Sequence, residues 1–129
     1  MKYDKIKYGI IGIMLGIGAC QPEEPTLRGN TYILRDSELE ISLSFDAHDN
    51  RYFGKAVNRY YGTYRLEGRA VTFGPPSSTM YSGDEDDLDA EEAYLTSLPL
   101  AQTYTLEEGK LTLHLSNQKD LVFDIAPQK

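Results

Sequence analysis

Cysteine and histidine are almost missing from this sequence: one cysteine stands at position 20, and two histidines at 48 and 114. Cys20 lies ahead of any segment that can fold, so no cysteine nucleophile is available further along, and there is no G-x-S-x-G elbow or H-E-x-x-H helix. His48 falls in a polar turn beside Asp46 and Asp49, and His114 on the polar side of a strand pattern, so a zinc or copper site lacks converging ligands. Positive charge is also scarce, with 13 basic against 20 acidic residues. Such acidity excludes nucleic-acid binding over the whole surface, because neutralising phosphates takes concentrated Lys and Arg. Long apolar runs are missing too. Residues 9 to 17 (GIIGIMLGI) are too few to cross a bilayer as a helix, which takes about 20.

What that short run does form is an export leader. Lys2, Lys5 and Lys7 make a basic start, residues 9 to 17 an apolar centre, and Gly18 and Ala19 small residues before Cys20. Ile17-Gly18-Ala19-Cys20 resembles the bacterial lipobox, which implies lipidation of Cys20 as the first residue of the mature chain. Gln21 after it implies an outer-membrane destination, and several acyl chains would hold permanently. Residues 1 to 19 are therefore expected to be removed, and 20 to 26 to be a lipidated Cys with a stiff, proline-containing tether. One domain is expected over 27 to 126. Losing Lys2, Lys5, Lys7 and Asp4 lowers the totals to 10 basic and 19 acidic residues, a net charge of about −9.

The centre of the domain is residues 53 to 73, FGKAVNRYYGTYRLEGRAVTF. Strand side chains alternate with period two, so Tyr60, Gly62, Tyr64 and Leu66 point one way and Tyr61, Thr63 and Arg65 the other. Glu67-Gly68 is expected to turn, Ala70 to Phe73 to return, and Gly74-Pro75-Pro76 to end the strand. Arg51, Lys55, Arg59, Arg65 and Arg69 crowd this region against Glu67 alone, interleaved with Tyr52, Phe53, Tyr60, Tyr61 and Tyr64. Two readings stay open: a sheet with packed aromatics and charged outer positions, or a surface for an anionic glycan, lipid headgroup or protein.

Strands are expected at Thr31 to Arg35 and from Glu38 to Phe45, where Leu39, Ile41, Leu43 and Phe45 alternate with polar residues. A helix is expected at about 86 to 97, started by Ser82 in a capping box or by Asp84, and stopped by Pro99. Leu88, Glu91, Leu95 and Leu98 form its stripe, with Tyr94 beside it. The acids from Asp84 to Glu92 do not follow calcium-loop spacing, since the sixth position is Asp89 where glycine is needed. No metal or other cofactor is implied. Gln102, Tyr104 and Leu106, then Leu111, Leu113 and Leu115, then Leu121, Phe123 and Ile125, describe a three-stranded meander turning at Glu108-Gly109 and Asn117-Gln118.

The segments LRGNTY (27 to 32), FGKAVNRYYGTY (53 to 64), STM (78 to 80) and the run from Asp89 to Phe123 resemble, in order and spacing, the META domain of HslJ-like bacterial proteins. Asn58, Tyr60, Gly62 and Tyr64 match its Asn-x-Tyr and Gly-x-Tyr pattern, and Glu92, Leu95 and Leu98 its amphipathic helix. Tyr32 stands where many members have tryptophan. Val57 stands where many have a cysteine, and a second cysteine near Ser82 is missing, so a disulfide role does not transfer. The resemblance implies an α+β domain, a curled, mostly antiparallel sheet, partly barrel-like, packed on one helix. It implies no catalytic residues.

The function expected from this is a non-enzymatic envelope lipoprotein, with a binding or stress-related role, anchored in the outer membrane and facing the periplasm. Arg59, Tyr61 and Arg65 are the candidate binding residues, for an envelope protein or an anionic ligand. Alternatives are an inhibitor of an exported hydrolase, a pilot-like assembly partner, or an enzyme acting on envelope glycans.

Overall fold

The computed structural model describes residues 27–79 and 83–127. Nine strands and one α-helix follow in the order β1 (Thr31–Leu34), β2 (Ser42–Phe45), β3 (Arg51–Lys55), β4 (Arg59–Glu67), β5 (Ala70–Phe73), β6 (Ser77–Ser78), α1 (Glu85–Ser97), a 3-10 turn (Leu98–Leu100), β7 (Ala101–Glu107), β8 (Lys110–Leu115) and β9 (Asp120–Ile125). Eight of the strands close an antiparallel barrel in the spatial order β3, β2, β1, β9, β8, β7, β5, β4, with β4 returning to β3. The short β6 is the extra strand. It pairs with the start of β4, Tyr60 against Ser78 and Tyr61 against Ser77, while the end of β4 pairs with β5. Closure removes the free edges that an open sheet leaves exposed.

The ribbon of β3 and β4 is fitted together by glycine. In its register Gly54 faces Tyr60 and Tyr52 faces Gly62, so each inward tyrosine has no side chain opposite it. A methyl group at Gly54 would stand 2.0 Å from the Ser42 carbonyl oxygen, and one at Gly62 would stand 2.5 Å from the Tyr52 ring. Both rings thereby reach the interior. There Tyr52 lies 6.2 Å from Tyr60 and meets Phe73 edge-on at 5.1 Å between centroids, and Phe45 meets Tyr64 edge-on, also at 5.1 Å.

The barrel is plugged at both ends. Leu27 is buried where β2 ends, held by the Gly29 amide donating to the Phe45 carbonyl at 2.8 Å. At the other end Tyr94 and Leu98 descend from α1 and the 3-10 turn, and the Tyr94 ring lies 5.6 Å from Tyr60 and 6.4 Å from Phe123.

The expected meander β7, β8, β9 is present with consecutive neighbours. Several sequence expectations are corrected. The hairpin of β4 and β5 turns at Gly68-Arg69, because Glu67 still pairs with Ala70; Gly68 takes φ +62°, and glycine at that first turn position suits the twist of the two strands. The second strand covers only Ser42–Phe45, although the inward alternation begins at Ile41. Gln102 does not share the inward face of Tyr104, since a bulge between Ala101 and Thr103 pushes it to the surface. Asp84 is the N-cap of α1 but makes no side-chain capping bond, and Ser82 lies outside the described residues.

Candidate functional site

Alternation places Arg51, Phe53 and Lys55 of β3 and Arg59, Tyr61, Thr63 and Arg65 of β4 on the outer surface of the barrel, all exposed. Phe53 pairs directly with Tyr61, Arg51 with Thr63, and Lys55 with Arg59. The two rings are 46% and 57% exposed, large values for such side chains. The three residues expected from sequence, Arg59, Tyr61 and Arg65, therefore do share one face. Of the five aromatics in the basic region, Tyr52, Tyr60 and Tyr64 point inward and leave the surface. Arg69 sits in the hairpin turn, beyond the ladder.

Phe53, Arg51 and Lys55 complete the face, and the sequence held the signal for them: residues paired with Tyr61, Thr63 and Arg59 across a hairpin must lie on the same side. None of Arg51, Lys55, Arg59 and Arg65 forms an ion pair or side-chain hydrogen bond among the described residues. Lys55 and Arg59 stand directly opposite each other, a like-charge pairing that costs stability. The acids nearby are Glu67 at the far end of β4, Asp46 at the rim, and Glu40, which borders a hollow with Lys55. The Asp46 carboxylate accepts the amides of Asp49 at 2.7 Å and His48 at 2.9 Å, which holds its pKa below the ordinary value, and the Arg51 charge helps to lower it. Shallow hollows flank the aromatic pair on both sides, one bordered by Arg51, Phe53, Tyr61 and Ser77, the other by Ser42, Phe53, Lys55 and Arg59.

A second polar arrangement lies beneath α1. Glu91, 6% exposed, accepts the Asn58 backbone amide at 2.6 Å and the Asn58 side-chain amide at 3.1 Å. Asn58, 4% exposed, precedes β4, so this clamp fixes the helix to the loop between β3 and β4. An acid inside an otherwise apolar stripe was the sequence signal, since a buried carboxylate demands hydrogen-bond donors. Beside it Tyr60 donates to the Ser42 carbonyl at 2.5 Å and shares a 2.7 Å hydrogen bond with Tyr94. Burial raises the pKa of Tyr60 and Tyr94 above the ordinary tyrosine value. These groups are committed to one another.

The two histidines differ. His114 lies 3.0 Å from the Asp120 carboxylate on the exposed side of β8 and β9, while His48 remains in the turn before β3. Cys20 and the tether lie outside the described residues.

The META domain family model matches residues 25–128. The chain belongs to the META domain family. Among solved structures, an NMR structure of a protein from Burkholderia xenovorans is similar at 20% identity and a TM-score of 0.69, covering 84% of this chain and 95% of that one. A crystal structure of a DUF4847 family protein from Bacteroides vulgatus is similar at 19% identity and a TM-score of 0.52, covering 69% of this chain and 61% of that one. At these identities the likeness shows a shared fold alone. The curated proteins gave no match.

Proposed function

We propose that this META-domain protein is a non-enzymatic lipoprotein of the bacterial envelope, anchored through Cys20 in the outer membrane, whose β3 and β4 outer face binds an anionic ligand. The observation that carries the reading is the set of four cations around Phe53 and Tyr61, without ion-pair partners among the described residues and with Lys55 set against Arg59, on a chain of net charge −7. A cross-strand like-charge pair costs stability that an opposite-charge pair would return. An anion laid over the face offsets that cost, and exposed rings beside it add apolar contact.

The test is photo-crosslinking in cells from a crosslinker at position 61 of the full-length chain. Arg59→Glu with Arg65→Glu is expected to abolish specific capture while the fold survives, and Cys20→Ala to release the protein from the membrane fraction. Capture that ignores the charge reversal would refute the binding face. Membrane retention of the Cys20→Ala chain would refute the anchor.

A further inference from the structure

Resting on that reading, we infer that the anion is the membrane surface itself: the outer face of β3 and β4 lies against anionic lipid headgroups of the bilayer that holds Cys20.

The described residues begin beside that face. Arg28 donates to the carbonyls of His48 at 3.1 Å and Asp49 at 3.3 Å, and also to the Asn50 side chain. Asn50 leads directly into Arg51, the first cation of the face. The tether therefore joins the barrel at the edge of the basic surface. From Cys20 to Leu27 the chain spans at most about 25 Å, at 3.6 Å per residue, so the anchor keeps this edge close to the bilayer.

Charge and chemistry point the same way. The outward positions of β3 and β4 carry Arg51, Lys55, Arg59 and Arg65 against Glu67 alone. Basic residues near an anionic leaflet each shift partition about fivefold, and aromatic rings settle at headgroup level. Phe53 and Tyr61, paired across the ribbon between the cations, supply those rings. A soluble partner would have to diffuse to the face, whereas the surface is already linked to it. Tethering turns the second contact into an intramolecular one and raises its effective concentration.

The experiment reconstitutes the full-length lipidated chain in vesicles carrying headgroup-quencher lipids, with an environment-sensitive dye on Thr63→Cys. Thr63 is exposed on the face, and exposed Thr103→Cys on β7, two strands round the barrel from β4, serves as the control off the face. Acylated Cys20 leaves the introduced cysteine as the only free thiol, so two dyes per chain would refute the anchor itself. Expected is several-fold stronger quenching at Thr63 than at Thr103 in phosphatidylglycerol-containing vesicles. It should be lost in pure phosphatidylcholine, in high salt and in the Lys55→Glu, Arg59→Glu chain. Equal quenching at both sites, or none, overturns the inference. If a soluble polyphosphate then still changes the Thr63 signal, the anion-binding reading survives and only the membrane assignment falls. If it changes nothing, both fall.

Discussion

The two faces of the β3 and β4 ribbon are built from alternate residues of the same two strands, yet they are finished in opposite ways. On the inner face every tyrosine is buried, two of them pass over glycines, and Tyr52 and Tyr60 donate to the Gly74 and Ser42 carbonyls. On the outer face four cations and two rings are left without such partners among the described residues. The inner face spends its side chains on the fold. The outer face keeps like charges together at a cost in stability, and that contrast marks it as the surface with another use.

The largest effect expected from breaking the inner face is at Gly54. Gly54→Ala drives a methyl group into the Ser42 backbone, which cannot swing aside as a side chain does, and should cost about 3 kcal/mol. A lowered denaturant midpoint measures it. Next come two inward tyrosines with different partners. Tyr60→Phe removes two hydrogen bonds and leaves the part-buried Ser42 carbonyl and the buried Tyr94 hydroxyl short of a partner, at a cost of about 2 kcal/mol. The buried Tyr64 hydroxyl has no partner among the described residues, so Tyr64→Phe should be neutral or slightly stabilising. Equal losses in the two variants would contradict the assignment of these bonds.

Part of this contrast is legible in the amino-acid sequence alone. Alternation around Tyr60 to Leu66 separates the inner from the outer residues correctly, because period two leaves little freedom once one face is buried. The candidates Arg59, Tyr61 and Arg65 are legible for the same reason. Closure is legible only through the family resemblance, which implies a partly barrel-like sheet, since it depends on β9 finding β1 and on Ala70 meeting Thr103 across the whole chain, contacts that no local pattern encodes. The Asn58 and Glu91 clamp is half legible, as an acid in an apolar stripe whose partner lies 33 residues away. The Gln102 bulge leaves no signal at all, for a strand written in perfect alternation hides one extra residue.

A smaller effect appears at high pH. Burial holds the pKa of Tyr52 and Tyr60 above the ordinary value near 10, so the unfolded chain releases protons there while the folded one retains them. Stability is complete below about pH 10 and falls as pH rises toward the folded pKa values, by about 1.4 kcal/mol per pH unit from Tyr60 alone. Unfolding curves between neutral and strongly alkaline pH should show this, with a shallower decline in Tyr60→Phe. The smallest effect belongs to the outer face. Lys55→Glu converts a like-charge pair with Arg59 into an opposite one and should raise stability by about 0.2 to 1 kcal/mol.

The most direct measurement is a binding titration of the full-length chain, held in uncharged vesicles, with short polyphosphate at rising salt, comparing the natural sequence with the Lys55→Glu, Arg59→Glu chain. If the outer face is the binding surface, the natural chain binds with an affinity that salt weakens. The variant then binds at least about tenfold more weakly, since reversing two nearby charges removes attraction and adds repulsion, while its unfolding midpoint stays close to that of the natural chain, because one like-charge pair replaces another. Equal affinity in the two chains, or no salt dependence, would contradict the account.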